Sequence, residues 1–294
     1  MDVTFLVQQL INGLSRGAVY ALIATGFALI FSVLKFSNFA HGGLISVSAY
    51  AGYFFSSQLK MNPVLAVICT ALTGAVLGTL LDFIAFRNLR KRNSSNIFYF
   101  VSSITCGILF MNLMTLSFGT TFYSIPPFFK DPILFLGDLI VIKMDLAIFL
   151  ISIGLLLLLM LVMEKTKMGL ALRTVAIDRE MAMLMGINSN VIITITFLIA
   201  GALAGVSGIL LGSSFTIDPF LGNMVVKGFV ASVIGGLGSL PGAIIGAVLL
   251  GVVEVFLTVG VGDILTPAVV FVFTLFFLLV RPQGIRGQFV QEKA

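Results

Sequence analysis

Charge is scarce in this sequence: of 294 residues only 10% are Asp, Glu, Lys or Arg, while 59% are hydrophobic. Soluble domains carry roughly a quarter charged residues, so with a mean hydropathy of +1.15 the composition implies a polytopic membrane protein. Histidine occurs once, cysteine twice and tryptophan not at all. A single histidine with scattered acids cannot assemble a typical zinc site, so no metal site is assigned. Cys69 and Cys106 lie apart inside apolar runs without CxxC spacing, and both read as small packing residues. No phosphate-binding GxxxxGK[ST] loop occurs: the nearest stretch, Gly235-Gly236-Leu237-Gly238-Ser239, lacks the lysine. GxSxG and HExxH are absent as well. The chain is therefore expected to have no catalytic residues, to hold no cofactor and to hydrolyse no ATP itself. Its net charge of +5 would point to nucleic acid in a soluble protein. Here the basic residues fall between apolar runs, where they set orientation, and no nucleic-acid partner is expected. Met1-Asp2 opens without a basic n-region, and no removable signal peptide is expected.

What is abundant is long apolar runs. Residues 17–34 and 144–163 approach the roughly 20 residues that cross a bilayer. Similar runs near 3–34, 41–59, 63–86, 97–118, 144–163, 191–213, 240–259 and 263–280 predict an all-α membrane fold. It is a polytopic bundle of about 8 transmembrane helices plus a short or broken glycine-rich helix at 224–238. The whole chain, 1–294, reads as a single transmembrane domain, with 164–190 a cytoplasmic loop within it. Asn12, Gly13, Ser15, Arg16 and Gly17 are expected to divide the first run, leaving 3–12 at the interface or only partly inserted.

Arg87, Arg90, Lys91 and Arg92 form a basic cluster without an acid, the mark of a cytoplasmic connection. Lys165, Lys167, Arg173 and Arg179 put 164–190 on the same side. The proline-broken segment 119–143, with Lys130, Asp131 and Asp138, suits the outer face. Arg281, Arg286 and Lys293 mark a cytoplasmic tail. An even number of crossings must separate that tail from 164–190, and 224–238 supplies the missing one as a pathway candidate.

Polar residues inside apolar runs are costly and therefore informative. Glu254, about halfway along its run, fits a proton relay, a substrate amine or a helix-to-helix hydrogen bond. Asp82 precedes Arg87 and is expected to form an ion pair or be locally solvated near a helix end, Lys227 to snorkel or line a pathway, and Asn112 to bond across helices. Gly74-x3-Gly78, Gly201-x3-Gly205 and Gly242-x3-Gly246 are spaced for close helix contact. The lone histidine lies in Asn38-Phe39-Ala40-His41-Gly42-Gly43, which parity places at a cytoplasmic turn at the membrane edge. There Asn38 is expected to cap the following helix and His41 to bond a carbonyl, with a gate or coupling role as the alternative.

Residues 164–190 have helical spacing: Leu172, Val175 and Ala176, then Met181, Leu184 and Met185, stopping at Gly186. Such an element lies on the bilayer or docks into a cytoplasmic partner. Glu180-Met181-Ala182-x3-Gly186 resembles the EAA-x3-G signature of ABC importer permeases, with Met181 in place of the first alanine. Nearly the whole chain resembles the branched-chain amino acid permeases of the LivH type, through residues 12–50, 165–188, 227–254 and "RPQG" at 281–284. Residues 93–130 depart from the family's small-residue pattern.

The resemblance implies a multi-pass importer subunit of the bacterial inner membrane, surrounded by membrane lipid. Its implied partners are a second permease subunit, related or identical, two cytoplasmic ATPase subunits that hold ATP and Mg, and a periplasmic substrate-binding protein. Arg173, Asp178, Glu180, Ala182 and Gly186 are then the ATPase-coupling residues. Asn38, His41, Gly42, Val233, Gly235, Gly236 and Glu254 are the translocation-pathway candidates. Branched-chain or related small amino acids are the implied cargo. The alternatives are urea or a short amide, an ion-coupled secondary transporter using Glu254, and a structural membrane scaffold.

Overall fold

The computed structural model describes residues 3–129, 131–136 and 139–287. Lys130, Asp138, the first two residues and the tail with Lys293 lie outside the described residues. Among those described, six helices are long and apolar enough to cross a membrane, and 221–235 and 266–280 form shorter apolar helices. The elements run α1 (Val3–Leu34), α2 (Ala40–Tyr53), α3 (Pro63–Leu81), α4 (Arg87–Lys91), α5 (Asn96–Phe118), β1 (Ile133–Leu136) and β2 (Leu139–Ile142). They continue with α6 (Lys143–Lys165), α7 (Lys167–Ile177), α8 (Arg179–Leu184), α9 (Ser189–Ser214), α10 (Val225–Gly235), α11 (Leu240–Val261) and α12 (Thr266–Val280).

The first apolar run is one continuous helix, so the expected division at 12–17 does not occur. Its small and polar residues serve contacts instead. A Cβ on Gly13 or Gly17 would come within 2.8 and 2.9 Å of the Cα atoms of Val252 and Val248, so α11 lies directly on the α1 backbone. Ser15 Oγ donates to the Asp145 carbonyl at 2.9 Å and ties α1 to α6.

The same contact joins α3 to α9. Gly74 and Gly78 face Gly201 and Gly205, and a Cβ on Gly205 would meet the Ala71 Cα at 2.8 Å. Lipid is as apolar as leucine, so close backbone approach and the dispersion contacts it allows must supply the association. All three spaced glycine pairs pack against neighbouring backbone, Gly242 and Gly246 lying on Gly235 of α10. The interior is built from α1, α2, α9 and α10, with Tyr20, Phe27, Leu44, Phe197 and Ile234 fully enclosed. Outward faces of α3, α5, α6 and α12 expose leucine, valine and phenylalanine, such as Leu72, Leu109, Leu158 and Phe276, as lipid-facing helices do.

Two polar predictions change. Asp82 pairs with Arg90 rather than Arg87: both its carboxylate oxygens take the Arg90 guanidinium. A π-turn over Asp82–Phe86 carries the chain to α4 and brings Arg90 into place. Thr194 Oγ1 donates to the same carboxylate at 2.8 Å, bonding α3 to α9. Asn112 bonds the Ile108 carbonyl of its own helix at 2.9 Å rather than a neighbouring helix.

The segment read as a proline-broken loop contains an antiparallel hairpin, with Ile133 opposite Ile142 and Leu134 opposite Val141. Its Ile, Phe and Val content favours strand. The Gln8 amide grips the edge of β2, donating to the Ile140 carbonyl at 2.7 Å and accepting from its N–H at 3.1 Å. Tyr123 and Ile217 exchange backbone bonds at 3.0 and 2.8 Å. The start of α1, the hairpin and the end of α9 thus share one end of the bundle, and α7 and α8 lie at the other.

Gly201→Leu would drive a side chain into the α3 backbone. We expect it to cost about 3 kcal/mol or more, read as a lowered unfolding midpoint in detergent. Gly154→Ala on α6, where nothing lies within 4 Å of the added carbon, is expected to leave the midpoint unchanged or slightly raised.

Candidate functional site

After Leu34 the chain turns through Lys35, which takes a left-handed backbone (φ 55°), and folds back into the bundle. A Cβ on Gly26 would lie 2.7 Å from His41 Cε1. Gly26 is eight residues before Leu34, about 12 Å along α1 at 1.5 Å per residue. The Asn38–Gly43 stretch therefore sits deep in the bundle and not at its edge. Parity identified which connection it belongs to, but carries no information on how far a connection dips inward.

A second segment descends from the opposite end. Ser46 Oγ donates to the Pro219 carbonyl at 2.9 Å and accepts from the Gly222 N–H at 2.9 Å. A Cβ on Gly42 would meet the Gly222 carbonyl oxygen at 2.6 Å, so only glycine fits this crossing. A 3-10 turn over Leu221–Met224 then leads into α10. The starts of α2 and α10 meet inside the protein, and both helices are broken relative to a full span. Phe27, Phe39 and Phe229 pack edge to face or tilted around this point, with centroids 5.4 to 5.9 Å apart.

The expected cap and carbonyl bond are not made. Phe39, not Asn38, occupies the N-cap of α2, without any side-chain cap. Among the described residues, both amide atoms of Asn38 and both ring nitrogens of His41 lack a hydrogen-bond partner, although the two residues are fully buried. The other pathway candidates lie elsewhere. Val233, Gly235 and Gly236 stand at the far end of α10, where the Ile234 and Gly235 carbonyls accept from the Ile285 and Arg286 N–H groups at 2.8 and 2.9 Å. Gly236 has φ +107° and turns the chain towards α11.

Glu254 belongs to a third group. Its Oε1 accepts from Lys227 Nζ at 2.6 Å and from the Tyr20 hydroxyl at 3.2 Å, and Lys227 also donates to Tyr20 at 3.0 Å. The triad connects α1, α10 and α11. Lys227 thus spends its charge on Glu254 rather than snorkelling outward, and of the roles open to Glu254 the bond between helices is the one formed. Tyr20 escaped sequence reasoning, because one hydroxyl in an apolar run gives no signal without its partners.

The 164–190 segment forms two helices rather than one continuous amphipathic element. Asp178 takes an extended backbone and caps α8, its Oδ1 accepting from the Glu180 and Met181 N–H groups at 2.8 and 3.0 Å. Leu172, Val175 and Ala182 turn inward and are buried. The break directs Ile177, Met181, Leu184 and Met185 outward, with Leu184 82% exposed. Arg173 and Glu180 are exposed beside them. Gly186 ends α8 in the left-handed region, φ +80°.

Residues 9–280 match the family described as "Branched-chain amino acid transport system / permease component". The chain belongs to that permease family. It is similar to the "High-affinity branched-chain amino acid transport system permease protein BraD" of Pseudomonas aeruginosa, at 33% identity over 99% of both chains. It is 31% identical to the Escherichia coli protein named LivH, over 98% of both chains. The "Probable branched-chain amino acid transport permease protein LivH" of Methanocaldococcus jannaschii is 28% identical over 90% of this permease and 88% of its own length. A solved structure, PsaBC from Streptococcus pneumoniae in complex with Fab, aligns over 92% of the permease at 16% identity with a TM-score of 0.49. That likeness is too distant to bear on function.

Removing one partner of a buried ion pair leaves the other uncompensated. We expect Glu254→Gln to destabilise the permease by on the order of 3 kcal/mol and the double variant Lys227→Met/Glu254→Gln to recover most of that loss. A double-mutant cycle on unfolding midpoints in detergent reads the coupling.

Proposed function

We propose that this permease is a membrane subunit of an ATP-driven importer that carries branched-chain or related small amino acids across the bacterial inner membrane. Family membership over residues 9–280 supports the cargo class, which the similar proteins carry in their names. The observation that carries the mechanism is the outward apolar face of α8. Ile177, Met181, Leu184 and Met185 are exposed together, beside Glu180 and the turn at Gly186. Helices that lay such a face into a partner groove transmit that partner's movement as a rigid body.

Two cytoplasmic ATPase subunits would receive α8 and its counterpart on a second permease subunit, related or identical. ATP and Mg would be bound by those ATPases. A periplasmic binding protein would deliver the substrate at the hairpin end, opposite the basic connections that the positive-inside rule assigns to the cytoplasm. Arg173 and Glu180 flank the apolar face and would set its register by charge. Asp178 would act through its cap on α8, and buried Ala182 through close packing beneath it.

Gly186→Asp forces a side chain into a left-handed position, and Glu180→Lys reverses a flanking charge. Each is expected to weaken ATPase co-purification about tenfold or more and to reduce ATP-dependent leucine uptake in parallel, with the permease still folded in detergent. Full uptake by this chain alone, driven by a proton gradient, would overturn the reading.

A further inference from the structure

Besides the helix crossing, the triad and α8, the bundle contains a cavity that shares Tyr20 with the triad and is otherwise separate from all three. It measures about 430 Å³ and lies at the hairpin end, between the first half of α1, the start of α6 and the last turns of α9 and α11. That volume falls within the roughly 300–1,000 Å³ of small-molecule sites. Its wall includes a cation, Arg16, and an anion, Asp145. The ion pairs among the described residues join Arg90 to Asp82 and Lys227 to Glu254, and Arg16 and Asp145 form no direct ion pair there. Ser15 bonds the Asp145 carbonyl, and among the described residues no hydrogen bond engages the Asp145 carboxylate.

We propose that this cavity is a binding site for a zwitterionic α-amino acid, with Arg16 receiving the carboxylate, Asp145 the ammonium and the apolar wall the side chain. The proposal rests on the transport reading above and deepens it by locating a site within a single permease subunit. A guanidinium and a carboxylate that line one cavity without a direct ion pair between them match the two charges of an α-amino acid. Urea, which carries neither charge, would leave both unsatisfied. Leu211, Ile148, Val255 and Val259 offer branched-chain contact, while Gln9, Asn12, Ser214 and Thr258 supply hydrogen-bonding groups. Tyr20 also lines the cavity and bonds Lys227 and Glu254 on its far side. Ligand contact with α1 is therefore one bond removed from α10.

The test uses the complete importer in proteoliposomes, with Ser214→Cys as a reporter in the cavity wall and a charged, membrane-impermeant thiol reagent. L-Leucine is expected to slow labelling at least tenfold. 4-Methylpentanoate, which lacks the ammonium, and 3-methylbutylamine, which lacks the carboxylate, are expected to leave it unchanged. Arg16→Gln and Asp145→Asn should each raise the leucine concentration needed for protection by about tenfold or more, the scale of one charge-assisted hydrogen bond. Arg16→Lys should restore part of it. Labelling indifferent to leucine, or slowed equally by all three compounds, would overturn the site even if either variant failed to assemble. If leucine is transported but does not protect, the site falls and the transport reading stands. If no α-amino acid is transported, the transport reading falls, and the labelling assay still reports whether the cavity takes a zwitterion.

Discussion

Backbone contact between helices is the constraint on which this architecture depends. Inside a bilayer an apolar side chain gains little by leaving lipid for protein, so helices associate where their backbones can touch. Glycine pairs make that possible between α3 and α9, α1 and α11, and α10 and α11. Once these pairs are seated, the short helices α2 and α10 are enclosed on all sides. Enclosure lets their non-helical ends persist inside the protein, because neighbouring groups and not lipid surround the freed backbone. Ser46 shows the arrangement in one residue: it satisfies the Pro219 carbonyl and the Gly222 N–H together.

Charged groups follow the same plan. Asp82, Arg90 and Thr194 fasten α3 to α9 near the end where α7 and α8 sit, and Tyr20, Lys227 and Glu254 fasten α10 to its neighbours. Each cluster marks a place where one helix meets another, and each leaves the long glycine contacts to supply the packing. A transporter needs joints that can be remade and walls that cannot. The polar clusters suit the first role and the glycine contacts the second.

Much of this was legible in the sequence. Hydropathy located the long helices because a bilayer imposes length and apolarity together, and glycine spacing located the contacts on α3 and α9 because small residues recur every four positions on one helix face. The failures have separate causes. Asn12 to Gly17 read as a break because polar and small residues interrupt soluble helices, yet here they meet α11 and α6. Asp82 chose Arg90 over Arg87 because a π-turn shifted the face, and no pattern in the run announces a π-turn. The depth of Asn38 and His41 was hidden for a simpler reason: composition tells that a chain turns, while only the packing of its neighbours tells how far inside the turn occurs. The role of Asp178 as a cap was equally invisible until the backbone at that residue was seen to be extended.

The crossing of Gly42 and Gly222 bears on leakage. The aligned peptide dipoles of a helix give its start a partial positive charge, roughly half an elementary charge for a full helix. Here two such starts, reached from opposite ends of the bundle, converge at one depth. A proton or sodium ion slipping through the middle of the subunit would meet both together, in surroundings with little water to screen them. The same geometry that forbids a methyl group at these two glycines thus raises an electrostatic barrier against the ions whose gradients the membrane must keep.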